Sequence, residues 1–429
     1  MSIFAILQWL FWLVLGLACL ILIGLYIRGA FRQSVKYRVK NSPSPGEPRF
    51  PLTLASLSSS FYTSGAITHF WSEVDDIQQA RLQAIQSAQR TIHFETFFMT
   101  PGRRANDFAA AIAERAAAGV EVRLVVDSYG TRKLGDRYWQ RLKAAGVHIA
   151  FFNQFNWRAP ANYAGRTHRK LLLTDSQFAL IGGAGVSDLW DGVEQAHDTQ
   201  PWFDIEVRLE GEIVAVLEGL FMQHLTYSGG VADLAEALIK PDPAENPLIL
   251  ITPGTNPTYR FSPIKALKLN CIAAARKRIW ISSPYFLPDL NSRKLLLEAK
   301  RAGIDVRILT TSIRTDKKFV YYASAELYGE LLKGGVEIYE YQPSMIHAKM
   351  LLVDDCWVNT GSANFDPRSF FHNDELDISA ANPFLINSLE QAFEKGFSQS
   401  KRASLQTWQQ RPAWQRSLGQ VVRFFQWQL

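Results

Sequence analysis

The chain has 429 residues, 47% hydrophobic and 20% charged, with a formal net charge of +6. That length exceeds one average domain and supplies ample material for packed cores. The modest basic excess fits an anionic partner without choosing lipid over nucleic acid, and three dispersed cysteines (Cys19, Cys271, Cys356) without a C-x-x-C pair argue against a disulfide framework and a zinc site.

The first predicted element is a membrane span. Ile3 to Ile27 carries no charge and one strongly polar side chain, Gln8. At about 1.5 Å per residue such a run crosses a hydrocarbon core of about 30 Å, and backbone groups in lipid pair internally only as a helix or closed barrel. A cleaved signal peptide would want a basic start, a shorter apolar run and a small-residue cleavage site. Arg28, Arg32, Lys36, Arg38 and Lys40 follow, with no acid before Glu47, so everything after the span is expected in the cytoplasm, at an inner (plasma) membrane. Asn41 to Pro51 is rich in Pro and Ser and reads as a linker.

The remainder repeats itself. One copy runs RTIHFETFFMTPG, AAAGVEVRLVVDS, AAGVHIAFFN and THRKLLLTDSQFALIGGAG; the other runs KRIWISSPYFLPD, AKRAGIDVRILTTS, LKGGVEIYEYQ and IHAKMLLVDDCWVNTGSANFD. Each predicts strand, helix, strand, helix, strand and a two-stranded hairpin. The apolar runs Ile92–Phe98, Val120–Val126, Ile279–Ser283 and Ile304–Leu309 suit buried strands of an α/β sheet. Phe108, Ala111, Ile112 and Ala116, and later Leu295, Leu296 and Ala299, carry helical spacing. Gly119, Gly146, Gly303 and Gly335 are placed to end helices. Two such halves can set equivalent loops face to face.

Each copy ends in the same spacing: His168, Lys170 and Asp175, then His347, Lys349 and Asp354. Strand alternation puts each histidine and lysine on one face. Two such strands present two imidazoles and two ammoniums to one pocket. A phosphodiester spreads negative charge over its oxygens in the transition state, which fixed cations stabilise. One neutral imidazole can attack phosphorus, while the other, protonated, donates to the leaving alcohol. No acidic or His/Cys cluster has convincing metal-ligand spacing, and no cofactor is expected.

The doubled pattern resembles the phospholipase D superfamily, whose motif is H-x-K-x(4)-D followed by G-G/S-x-N. The second copy matches at Gly361, Ser362 and Asn364; the first matches at Gly182 and Gly183 but has Gly185 in place of Asn, with Ser187 a nearby substitute. The resemblance implies an α/β fold of two similar halves, each a mixed β-sheet flanked by helices, with the active site at the pseudo-two-fold interface. It implies that His168 attacks to form a phosphohistidine and that His347 protonates the leaving group. Asp204 and Glu375 match carboxylates that orient the histidines, as the third member of a triad does. Gly183, Ser362 and Asn364 fall in the phosphate pocket. Asp175 and Asp354 complete the catalytic motif, with a role expected in strand and loop geometry. Weaker candidates are Glu95 and His93 on a central strand, His197, Tyr285 and Phe286, and Cys356.

The expected division is an anchor (1–28), a basic flank and linker (29–60), two phospholipase D-like halves (61–235 and 236–395) and a basic, aromatic, helical tail (396–429). After Glu394 the tail has no acid; Lys395, Lys401, Arg402, Arg411, Arg416 and Arg423 sit among Trp408, Trp414, Phe424, Phe425 and Trp427. That mixture suits either an interfacial helix on anionic lipid or a helix packed on the domain. The run GSANFDPRSFFHNDELD resembles bacterial cardiolipin synthases, and the anchor favours a lipid substrate. The expectation is a phosphatidyltransferase acting on a phosphatidylglycerol-like phospholipid, with no nucleic acid and one chain sufficient for one site. The alternatives are a phospholipase D hydrolase, a membrane-tethered nuclease, and a catalytically weak lipid-binding scaffold.

Overall fold

The computed structural model describes residues 3–27, 39, 41–159, 163–192, 200–232, 248–255 and 261–428. The five basic residues expected to set the orientation of the span, and His197, lie outside the described residues. The N-terminal run forms α1 (Ile3–Ile27), whose segment Phe4–Tyr26 is long and apolar enough to cross a membrane and is unburied by the rest of the chain.

The stretch read as a linker is partly folded. Arg276 Nη2 donates to the Ser42 carbonyl at 2.8 Å, and Phe50 opens α2 (Phe50–Ser58) and meets Trp357 edge-on at 5.1 Å. A buried phenylalanine after a proline-rich run starts a helix that the polar composition alone hides. The short strand β1 (Phe61–Ser64) follows.

The first sheet is built from β2 (Ala66–Trp71), β3 (Thr91–Thr96), β4 (Glu121–Asp127), β5 (His148–Phe152), β6 (Lys170–Thr174), β7 (Phe178–Gly182) and β8 (Glu206–Glu210). Between them lie α3 (Val74–Ser87), α4 (Arg103–Ala117) and α5 (Asp136–Ala144), and α6 (Glu212–Tyr227) follows. The second sheet uses β9 (Leu248–Pro253), β10 (Arg278–Ser282), β11 (Asp305–Thr311), β12 (Glu337–Tyr341), β13 (Met350–Val353), β14 (Trp357–Gly361) and β15 (Leu376–Ala380). Its helices are α7 (Pro263–Ala274), α8 (Leu290–Arg301), α9 (Lys318–Lys333), α10 (Pro367–Phe371) and α11 (Pro383–Ser398). The chain closes with β16 (Ser400–Arg402), α12 (Leu405–Gln409) and α13 (Ala413–Phe424).

The strand orders are β2-β8-β7-β6-β3-β4-β5 and β1-β9-β15-β14-β13-β10-β11-β12-β16. Without the edge strands β1 and β16 the two sheets have one topology. In each, three strands run parallel and the rest pair antiparallel. β1 departs from the expected division: it sits in the first expected half yet pairs with β9 of the second sheet.

Gly119, Gly146, Gly303 and Gly335 all take positive φ after α4, α5, α8 and α9, the left-handed turn a side chain disfavours. A central apolar core joins the halves: Leu171, Leu173 and Val207 of one sheet and Leu352, Val358 and Ile378 of the other enclose Leu217 and Phe221 of α6 and Leu389 and Phe393 of α11. α3, α4 and α5 cover the outer face of the first sheet, and α2, α7, α8, α9 and α10 that of the second. The shared core holds the histidine-bearing segments of both halves in fixed register.

Candidate active site

His168 and His347 precede β6 and β13 in short extended segments that pair across the halves. The His168 N–H donates to the Asp374 carbonyl at 2.8 Å, and the His347 N–H donates to the Phe203 carbonyl at 2.7 Å. Asp374 and Phe203 are each followed by an acid, and that acid meets the histidine just clamped. His168 Nδ1 lies 3.0 Å from Glu375 Oε2 and His347 Nδ1 lies 2.8 Å from Asp204 Oδ2. The carboxylate of each half therefore holds the histidine of the other, leaving Nε2 as the remaining ring nitrogen.

Both acids are fully buried and held from behind. Asp204 accepts from Trp190 Nε1 at 2.9 Å and from the Ile205 N–H at 2.9 Å. Glu375 accepts from the Ser362 hydroxyl at 2.5 Å, whose oxygen accepts the Leu376 N–H at 2.9 Å. Lys170 Nζ donates to the His168 carbonyl at 2.6 Å, and Lys349 Nζ donates to the His347 carbonyl at 2.5 Å beside the imidazole. Phe97 meets the His168 ring at 5.2 Å; Trp190 and Trp202 meet His347 at 5.2 and 5.9 Å.

Burial and then Lys170 and Lys349 push His168 well below the ordinary imidazole range. Burial and then Lys349 push His347 down to about 4, against the pull of Asp204. Each histidine thus feels both lysines, as one site requires. Burial lowers Lys349 to about 8, and burial with Lys349 nearby lowers Lys170. Burial would raise Asp204, but His347, Lys349 and Trp190 outweigh it and hold it at about 2. Burial instead raises Glu375, which Lys170 only partly opposes. The Asp204–His347 pair is ionised on the carboxylate and neutral on the ring before any anion enters.

The other expected residues divide. Gly183 is required because a Cβ there would stand 2.2 Å from Asp204 Oδ1. Asn364 is buried beside the site, its Oδ1 unpartnered among the described residues. Gly185 has its own cause: a Cβ would meet the Phe98 carbonyl at 2.6 Å. Ser187 does not substitute for the missing amide, since its hydroxyl contacts Thr100 Oγ1 at 2.5 Å and caps the turn Asp188–Asp191.

The motif aspartates sit in turns, where their contacts are to backbone. Both take positive φ in the turns at the far ends of β6 and β13. Asp175 accepts the N–H groups of Gln89, Arg90 and Thr91, at 2.7 Å from Arg90; Asp354 accepts those of Arg276, Lys277 and Arg278, at 2.7 Å from Lys277. Seven residues of extended chain place each roughly 20 Å from its histidine, at about 3.3 Å per residue. Tyr285 donates to Asp316 at 2.6 Å, and Phe286 packs on Phe365. Glu95 and His93 belong to the buried interior, and Cys356 is half-buried in the Asp354 turn.

Two supports escaped the sequence reading. Arg81 pairs with Glu206 and donates to the Ala184 carbonyl at 2.9 Å. Lys268 lies 3.6 Å from Asp377 and donates to the Ala363 carbonyl at 2.6 Å. Glu206 and Asp377 follow Asp204 and Glu375 by two residues, a repeat visible in the sequence; their cations come from α3 and α7, outside the repeated runs. Among the described residues no group of three or more His, Cys, Asp or Glu converges as a metal-ligand set.

The profile of the family described as "Cardiolipin synthase, PLD-like domain" matches residues 82–189 and 269–397, more than half of the chain. A cardiolipin synthase of Geobacillus kaustophilus is 33% identical over 338 residues, covering 76% of this chain and 65% of its own. Cardiolipin synthase 2 of Bacillus anthracis is 33% identical over 356 residues, covering 81% of this chain and 67% of its own. The chain therefore spans about two thirds of the length of these relatives. The crystal structure of phosphatidylserine synthase from Haemophilus influenzae superposes with a TM-score of 0.71 at 11% identity, covering 88% of this chain and 99% of that one; polyphosphate kinase from Porphyromonas gingivalis gives 0.50 at 12%, covering 86% and 52%. Those two likenesses concern the fold alone. With both matched segments carrying a histidine–lysine strand, and with the identity to cardiolipin synthases spread across both halves, the chain belongs to the cardiolipin synthase, PLD-like domain family.

Proposed function

We propose that the protein is a membrane-anchored phosphatidyltransferase that moves a phosphatidyl group through a phosphohistidine to an alcohol, as a cardiolipin synthase would. The observation that carries this reading is the crosswise pairing of each buried histidine with a carboxylate of the other half, beside a lysine. His168 Nε2 attacks phosphorus, and the bond to the leaving alcohol breaks. His347 delivers its proton to that oxygen. The acceptor hydroxyl then gives a proton to neutral His347 and attacks phosphorus, and the P–N bond breaks to restore His168.

The two carboxylates suit these roles differently. Firmly ionised Asp204 supports an imidazolium on His347, whereas raised Glu375 favours neutral His168. The resting His347 is neutral, so the acid form awaits an anionic phosphate that offsets the two lysines.

The substrate assignment rests on the cardiolipin synthase relatives, α1 and the tail. α1 anchors the chain, with the basic flank and catalytic halves on the cytoplasmic side. α13 packs Gly419 against the Tyr322 carbonyl of α9 and turns Trp414, Leu418 and Val421 outward among Arg416 and Arg423, as an interfacial helix would. Incubation of the full chain with labelled phosphatidylglycerol in mixed micelles should yield cardiolipin and glycerol. Phosphatidic acid as the sole product would make it a hydrolase, and no lipid turnover would overturn the reading.

A further inference from the structure

Beside the His168 seam lies a buried ionic cluster that the transfer chemistry does not use. His224 of α6 is 2% exposed and Glu95 of β3 is fully buried. His224 Nδ1 lies 2.6 Å from Glu95 Oε1, and His224 Nε2 lies 3.2 Å from Asp374 Oδ2. Thr167 Oγ1 donates to the same Glu95 oxygen. An imidazole between two carboxylates pairs with both by charge as an imidazolium, with Nδ1 placed to donate to Glu95 and Nε2 facing Asp374. Burial and neighbouring Arg169 oppose that charge, and Glu95 and Asp374 outweigh them. The Phe152 ring stacks on His224 at 5.0 Å, completing its surroundings.

Each end of the cluster touches the seam. Thr167 immediately precedes His168. Asp374 accepts the His168 N–H, donates its own N–H to the Arg166 carbonyl at 2.8 Å, and immediately precedes Glu375. Arg169 Nε donates to the Glu375 carbonyl at 3.3 Å. The cluster thus grips both the imidazole segment and the carboxylate segment, one from each half.

The other half is built differently. The helices α6 and α11 are of equal length, 16 residues, so His224 corresponds to Lys395. Asp374 corresponds to Phe203 and Glu95 to Ser282. There Lys395 Nζ sits 5.6 Å from the Phe203 ring and pairs with exposed Glu73. One seam is held by buried charge, the other by a cation over an aromatic ring.

We infer that His224 is a positioning residue for the His168 side of the site: held between Glu95 and Asp374, it locks the His168 segment and the Glu375 segment together across the halves, independently of the His347 side. The consequence for catalysis rests on reading His168 as the nucleophile; the consequence for backbone order does not.

The test uses the full chain with His224→Gln, Asp374→Asn, their combination, and Lys395→Ala. Hydrogen exchange in the peptide spanning 163–170 should rise at least tenfold in His224→Gln, with the peptide spanning 345–349 unchanged. Lys395→Ala should do the reverse. With phosphatidylglycerol, His224→Gln should lower kcat by about tenfold to a hundredfold at constant KM, and the double variant should be no worse than the worse single. Unchanged exchange in both peptides, equal loosening of both, or multiplying effects in the double variant would overturn the inference. A wild-type protein inactive on lipid would overturn the proposed function while the exchange result still decides this point.

Discussion

Two neutral imidazoles flanked by buried lysines set a definite pH response. His168 lies well below its ordinary value of 6.5, so the attacking nitrogen stays unprotonated into mildly acid solution. Lys349, lowered by burial to about 8, loses its charge as pH rises through that value. Because kcat/KM reports the free enzyme, whose His347, held at about 4, must gain the proton it delivers, its profile should decline as pH rises through neutrality and fall more steeply above about 8, where Lys349 loses its charge. A bell centred on an ordinary imidazole value would show that these groups are not so perturbed. Replacing either motif histidine should reduce turnover by at least about a thousandfold. Asp175→Ala should instead cost stability, about 1–3 kcal/mol from three backbone N–H groups losing their acceptor, with kcat nearly retained below the melting transition. A loss of kcat equal to that of His168→Ala, with unchanged Tm, would return Asp175 to the chemistry.

The repeated elements were legible because each half carries its own periodicity: short apolar strands, amphipathic helices and a glycine at each helix end. The crosswise carboxylates were legible as positions, since Asp204 and Glu375 follow the motifs at similar places, but nothing in a linear chain says that each serves the other half. β2 was missed because an edge strand with half-exposed residues has no continuous apolar run, and β1 because its partner lies in another half; β9, an interior strand with a buried apolar run, lies outside the repeated segments. Gly185 reads as a lost asparagine in the motif, yet the Phe98 carbonyl leaves no room for any side chain. Gly185→Asn should therefore lower stability by about 1–3 kcal/mol and fail to raise activity. A variant with wild-type Tm and faster turnover would mean that the loop can open. Arg81→Ala should be costlier, about 3–5 kcal/mol, because it leaves Glu206 buried and unpaired; thermal denaturation reads both.

At the scale of the whole molecule, duplication explains why one chain can suffice for one site. The core shared by α6, α11 and both sheets presents two histidines that neither half could orient alone, since each half supplies the carboxylate that holds the other's histidine. A mixture of His168→Ala and His347→Ala chains should therefore show no restored activity; restoration would require a site shared between chains. The central claim is that His168 carries the phosphatidyl group between donor and acceptor. The most direct test is rapid acid-free quenching of the full chain with phosphatidylglycerol labelled in its phosphate, followed by mass spectrometry of the protein. The account predicts a phosphatidyl adduct on His168, absent from His168→Asn, and discharged when an alcohol acceptor is added. An adduct on His347, or steady turnover with no adduct on either histidine, would contradict it.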